Sequence, residues 1–172
     1  MSSSNRQNYL RCLLLGAVLI LSGCQVRPLY ATNPAGTSVA NSLAEIEIGQ
    51  ATDRIGLELR NQLLFDLENG YETEAKTHFL SFTISSGTSD LGLEVGTGRP
   101  KASRVTVTVN YLLKHKDSGE TVLKQSHSAT ASFDRSDQRF ANLRAERDAQ
   151  NRAATTLAQE IRLRLASYMS KR

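Results

Sequence analysis

The chain has 172 residues, 40% of them hydrophobic, with 21 Lys and Arg against 17 Asp and Glu, three His and two Cys. That length suits one compact domain with a real core, and so few cysteines exclude a disulfide scaffold or a cysteine-built metal centre. The net charge of +4 is too small and too dispersed to mark a nucleic-acid-binding domain.

The N-terminus reads as an export signal. Arg6 and Arg11 form a positive n-region, Leu13 to Leu21 an apolar h-region, and small residues precede Cys24 in the run Leu21-Ser22-Gly23-Cys24. About 20 apolar residues are needed to span a bilayer, and this stretch is shorter. The run resembles the bacterial lipobox, in which the cysteine thiol is diacylated, the preceding bond is cut and the new amino terminus is acylated. That implies removal of residues 1–23, lipidation at Cys24, and no cofactor beyond the covalent diacylglycerol and N-acyl lipid there. Each buried acyl CH₂ contributes about 0.8 kcal/mol, so two or three chains hold a protein firmly to a membrane. Cys12 leaves with the signal, and loss of Arg6 and Arg11 leaves 19 basic against 17 acidic residues, a net +2.

Residues 24–42 read as lipid anchor and tether, with Pro34, Gly36, Thr37 and Ser38 marking irregular chain. Leu43 to Ile48 alternates as a short strand, with Ile46 and Ile48 set against Glu45 and Glu47. An amphipathic helix follows from Thr52 or Asp53 to Asn69. Ile55, Leu59, Leu63 and Leu67 recur every fourth position, one of the first two residues caps it, and Asn69-Gly70 supplies the stop.

Thr77 to Ile84 alternates as a strand, with Leu80, Phe82 and Ile84 on one face and Phe79 on the other. Ser85 to Arg99 is rich in Gly and Ser, yet Leu91, Leu93 and Val95 still alternate, which fits strand extensions or a hairpin-like excursion. Ser103 to Leu113 is the clearest strand, with Val105, Val107, Val109, Tyr111 and Leu113 on one face. Lys116-Asp117-Ser118-Gly119 turns it back into Glu120 to Phe133, making a long antiparallel hairpin. The last element is a helix from Asn142 to Met169 whose inward stripe is Ala154, Leu157, Ala158, Ile161, Leu165 and Tyr168. Asp148 with Arg152, and Glu160 with Arg164, lie four apart on its surface.

Two helices with one apolar stripe each must cover one face of a mostly antiparallel four-stranded sheet. The expected fold is therefore an α+β two-layer sandwich over residues 43–172, its other face polar with Thr, Ser and Asn. No catalytic constellation is visible: His78, His115 and His127 have no evident partners, and no H-E-x-x-H, G-x-S-x-G or P-loop run occurs. A non-enzymatic protein is the expectation.

The run Cys24-Gln25-Val26-Arg27-Pro28-Leu29-Tyr30, the element order, and the closing helix from Ala145-Glu146-Arg147-Asp148-Ala149 to Ile161-Arg162-Leu163-Arg164-Leu165 resemble the LPS-assembly lipoprotein family LptE in its alphaproteobacterial form. Gln25-Val26 departs from the Gly-Phe of that pattern. The resemblance implies an outer-membrane lipoprotein facing the periplasm and barrel lumen, which plugs the LPS-translocating β-barrel LptD and helps deliver lipopolysaccharide. Gln25, rather than Asp, after the cysteine is similar to lipoproteins sent to the outer membrane. An accessory lipoprotein of a periplasmic ABC-type lipid-transport system is the alternative, and a lipid-anchored hydrolase a third. Arg99, Lys101 and Arg104 gather before the best strand. They read either as a solvated loop end or as contacts for lipopolysaccharide phosphates, which Arg and Lys bind through charge-assisted hydrogen bonds.

Overall fold

The computed structural model of the chain describes residues 38–68, 75–93, 96, 98 and 100–171. Seven elements follow in order: α1 (Val39–Ala44), β1 (Ile46–Ile48), α2 (Arg54–Glu68), β2 (His78–Leu93), β3 (Pro100–His115), β4 (Thr121–Asp134) and α3 (Arg139–Met169). The strands form one sheet in the order β1-β2-β3-β4. β1 runs parallel to β2, and the other pairs are antiparallel. This is the expected α+β fold, with α2 and α3 packed together over the sheet and one added helix.

That added helix corrects the reading of Leu43 to Ile48 as strand. Leu43 and Ala44 end α1, and only Ile46–Ile48 pairs in the sheet. The Ser38 hydroxyl accepts the Ala40 N–H at 3.2 Å and caps the helix. Val39 and Leu43, one turn apart, are both buried in the core. Four of the residues expected in the tether, Val39 to Ser42, are thus helical.

α2 starts where its cap predicts: Asp53 Oδ1 accepts the Gly56 N–H at 2.8 Å. Its stripe of Ile55, Leu59, Leu63 and Leu67 is buried, while the Asn69-Gly70 stop lies outside the described residues. Arg54 ties its first turn to α3 through Asn151, at 2.7 Å, and Gln150.

Of the two readings of Ser85 to Arg99, strand extension holds as far as Leu93: β2 is continuous and pairs with β3 from His78↔His115 to Leu93↔Pro100. Serine and threonine side chains do not disturb such a ladder, because main-chain groups make its hydrogen bonds. The β3–β4 hairpin closes on Gly119, whose φ of +69° suits glycine and whose N–H donates to His115 O at 2.9 Å.

Val105, Val107, Val109, Tyr111 and Leu113 line the covered face, each at most 1% exposed. Above them α3 presents Ala149, Ala153, Ala154, Leu157, Ala158, Ile161, Leu165 and Ala166. Its alanines allow the helix a close approach, while each fully buried Leu or Ile contributes about 1.5–3 kcal/mol. Tyr168, expected inward, is only partly buried. Asp148 and Arg152 form the expected ion pair at 2.9 Å. Glu160 instead reaches His127 Nδ1, at 3.3 Å, because β4 passes beneath that turn of α3.

Candidate functional site

The two ends of the sheet differ. β1, the start of β2, the β3–β4 turn and the C-terminal end of α2 share one end. The ends of β2 and β4, the start of β3 and the first turns of α3 share the other. β2 alone, with 16 residues, is about 50 Å long, so the ends are well separated.

At the second end the hairpin brings together groups far apart in sequence. Arg135, the residue after β4, donates its backbone N–H to Lys101 O at 2.8 Å and so prolongs the β3–β4 ladder. Its Nη1 lies 3.1 Å from Asp90 Oδ1 and 3.3 Å from Ser103 Oγ. The fully buried Ser103 hydroxyl donates to the same Asp90 oxygen at 2.8 Å. Ser136 and Asn142 then clasp the entry to α3, Ser136 N–H donating to Asn142 Oδ1 and Asn142 Nδ2 to Ser136 O, both at 2.8 Å.

Two open clefts flank Arg135. One, of about 730 Å³, is lined by Pro100, Lys101, Asp134, Asp137 and Asn142 among others. The second, of about 560 Å³, lies between Phe133, Arg139, Phe140, Leu143, Thr88 and Glu146. Phe140 is 85% exposed and Leu143 46%, so apolar surface stands beside Arg135 and Arg139. Thr88 Oγ1 donates to Glu146 Oε1 at 2.7 Å and pins α3 over β2. Such a site suits an amphiphile, with cations for its anionic head and open apolar surface for its chains.

Lys101 lines the first cleft. Arg104 is exposed on the opposite, open face of β3, between Ser89 and Ser132; three residues apart on a strand, the two point to opposite sides. Arg99 and Cys24 lie outside the described residues. Arg135, Arg139, Phe140 and Leu143 were not singled out in the sequence. Arg135 falls between the strand end expected at Phe133 and the helix start expected at Asn142, which the structure moves to Asp134 and Arg139, and only the hairpin register, which places it beside Lys101, would have exposed it.

The histidines lie elsewhere. His78 and His115 meet edge to face at 5.2 Å near the other end of the sheet, and His127 stacks on Tyr111 at 5.8 Å. Burial pushes the Tyr111 phenol up from 10.0 to about 12; Arg164 opposes the shift and Glu160 adds to it. Among the described residues no group of three His, Cys, Asp or Glu could hold a metal, and no helix is long and apolar enough to cross a membrane.

A family model described as LptE, lipopolysaccharide-assembly, matches residues 41–165. A lipoprotein from Caulobacter crescentus superposes with a TM-score of 0.64 at 25% identity, over 78% of this chain and 97% of that one. A minor lipoprotein from Acinetobacter baumannii gives 0.54 at 18% identity, over 72% and 89%. Lipoprotein B from Nitrosomonas europaea gives 0.53 at 15%, over 73% and 82%; these last two share the fold. No curated protein matches the sequence.

Proposed function

The chain belongs to the LptE lipopolysaccharide-assembly family, and from that premise we propose that it is a non-enzymatic outer-membrane lipoprotein, anchored through Cys24, that plugs the LPS-translocating β-barrel LptD. The observation that carries this reading is the family match, which runs from within α1 to near the end of α3. A bacterial envelope lipoprotein with a role in lipopolysaccharide assembly is what that match and the Caulobacter lipoprotein support together. The polar face of the sheet adds a physical reason: the interior of a large membrane barrel is polar, and a plug must present a surface that tolerates it.

Lipopolysaccharide is an amphiphile with phosphates beside acyl chains. Of the sequence-derived candidates for its phosphates, Lys101 lines the cleft, Arg104 lies on the opposite face of β3 and Arg99 lies outside the described residues. The cleft residues Arg135 and Arg139 join Lys101 on one face, with Phe140 and Leu143 as the apolar part. Affinity purification of the full-length chain from solubilised membranes tests the main reading: LptD should copurify in stoichiometric amount. Recovery of inner-membrane lipid-transport subunits in its place would overturn it in favour of an accessory role in such a system.

A further inference from the structure

Among the described residues, no strand pairs with β2 beyond Leu80 on the side away from β3. β1 pairs only with His78–Leu80, and the last described bond on that side runs from Gly49 N–H to Leu80 O, at 2.8 Å. In an antiparallel pair, successive residues turn both main-chain groups alternately toward the partner and away from it. Lys116 N–H donates to Thr77 O and Gly49 N–H to Leu80 O, which sets odd positions of β2 toward β3 and even positions outward. The register with β3 is unbroken through Leu91↔Ala102. Phe82, Ile84, Ser86, Thr88 and Asp90 therefore each present a backbone N–H and C=O outward, and none of these groups has a main-chain partner among the described residues.

Sheet edges are normally guarded by charges, proline or bulges. Ser81 to Ser89 contains no charged residue and no proline, and Asp90 is held by Ser103 and Arg135. Ser85 to Ser89 are small and exposed. The opposite edge, on β4, is guarded better: Lys124 lies on it, and Arg152 Nη2 donates to Ser132 O at 2.9 Å.

We propose that this edge of β2, from Phe82 to Asp90, is a strand-addition site for an extended segment of the barrel partner, an inference that rests on the reading above. Donor-acceptor pairs repeating about every 6.6–6.8 Å match an extended polypeptide and match neither a lipid nor a glycan. A second copy of the chain fits less well. The Thr88–Glu146 bond holds the first turns of α3 over β2, and the stretch Arg139 to Arg147 carries Arg139, Arg144 and Arg147 against Glu146 alone. Two-fold pairing would set two such cationic turns near each other.

Hydrogen exchange on the mature lipidated chain in detergent, alone and bound to the copurified barrel, tests the assignment. In the complex the outward amides of Phe82, Ile84, Ser86, Thr88 and Asp90 should slow by at least about tenfold while those of the 116–119 turn stay unchanged. Ser86→Pro removes an outward N–H without touching the β2–β3 ladder; it should keep the melting temperature and weaken barrel recovery, whereas Ser85→Pro should unfold the hairpin. Copurification without added protection overturns this inference and leaves the proposed function standing, while failure of any barrel to copurify overturns both. Protection that grows with the concentration of the chain alone means self-pairing and overturns the choice of partner.

Discussion

Arg135 and Asp90, which lie 3.1 Å apart, join the residue that follows β4 to the far end of β2 across the intervening β3, with Ser103 bonded to both. The ion pair itself is weak, since its side chains are 37% and 53% exposed, and such surface pairs contribute up to about 1 kcal/mol. The buried Ser103 hydroxyl makes the arrangement asymmetric. Asp90→Ala takes away its acceptor, at about 1–3 kcal/mol, whereas Arg135→Ala leaves it bonded. Chemical denaturation should rank Asp90→Ala as the more destabilising variant. Equal losses would mean that the hydroxyl finds another acceptor.

The cleft and the open face are separable by mutation. If lipopolysaccharide phosphates meet the cleft, Lys101→Ala combined with Arg135→Ala should weaken binding by the full-length protein several-fold at low salt and less at moderate salt, because screening already removes part of the attraction. Arg104→Ala, on the other face, should change it little. The reverse ranking would move the contact to the open face.

Tyr111 links pH to stability. Its hydroxyl is buried with no hydrogen-bond partner among the described residues, and the phenol is pushed up to about 12. A raised pKa means that folding favours the neutral phenol. The associated stability is complete below pH 10 and is lost as pH climbs toward 12, by roughly 2–3 kcal/mol in all. Tyr111→Phe should melt within about 1 kcal/mol of wild type at neutral pH, since it removes a desolvated hydroxyl with no bond to lose. It should also flatten the alkaline limb. A clear destabilisation of Tyr111→Phe at neutral pH would show that the hydroxyl is bonded.

Lipidation at Cys24 is testable without the structure. Cys24→Ser should accumulate as unprocessed precursor, and mass spectrometry of the native protein should find the mature chain starting at an acylated Cys24. A chain beginning at Gln25 should lose the membrane affinity that the acyl groups confer. An unmodified Cys24 in the native protein would overturn the anchor.

By itself the sequence determined the longer elements whose periodicity is strong. The four-residue recurrence of Ile55, Leu59, Leu63 and Leu67 and the strict alternation of Val105 to Leu113 each place one face against a core, and both faces are buried as read. The turn at Lys116 to Gly119 was legible because glycine supplies the positive φ found there. α1 was not: six residues hold too little periodicity to separate a capped helical turn from the strand that follows, and it is the burial of Val39 and Leu43 beneath α2 and α3 that decided it. The tertiary structure alone decided which charges meet. Lys101 and Arg104 are near neighbours in sequence and lie on opposite faces, while Asp90 in β2, Ser103 in β3 and Arg135 just after β4 share one set of hydrogen bonds. Periodicity fixes a residue's face within its own element, but contact across strands depends on register, and register is set by the whole hairpin closing on one core.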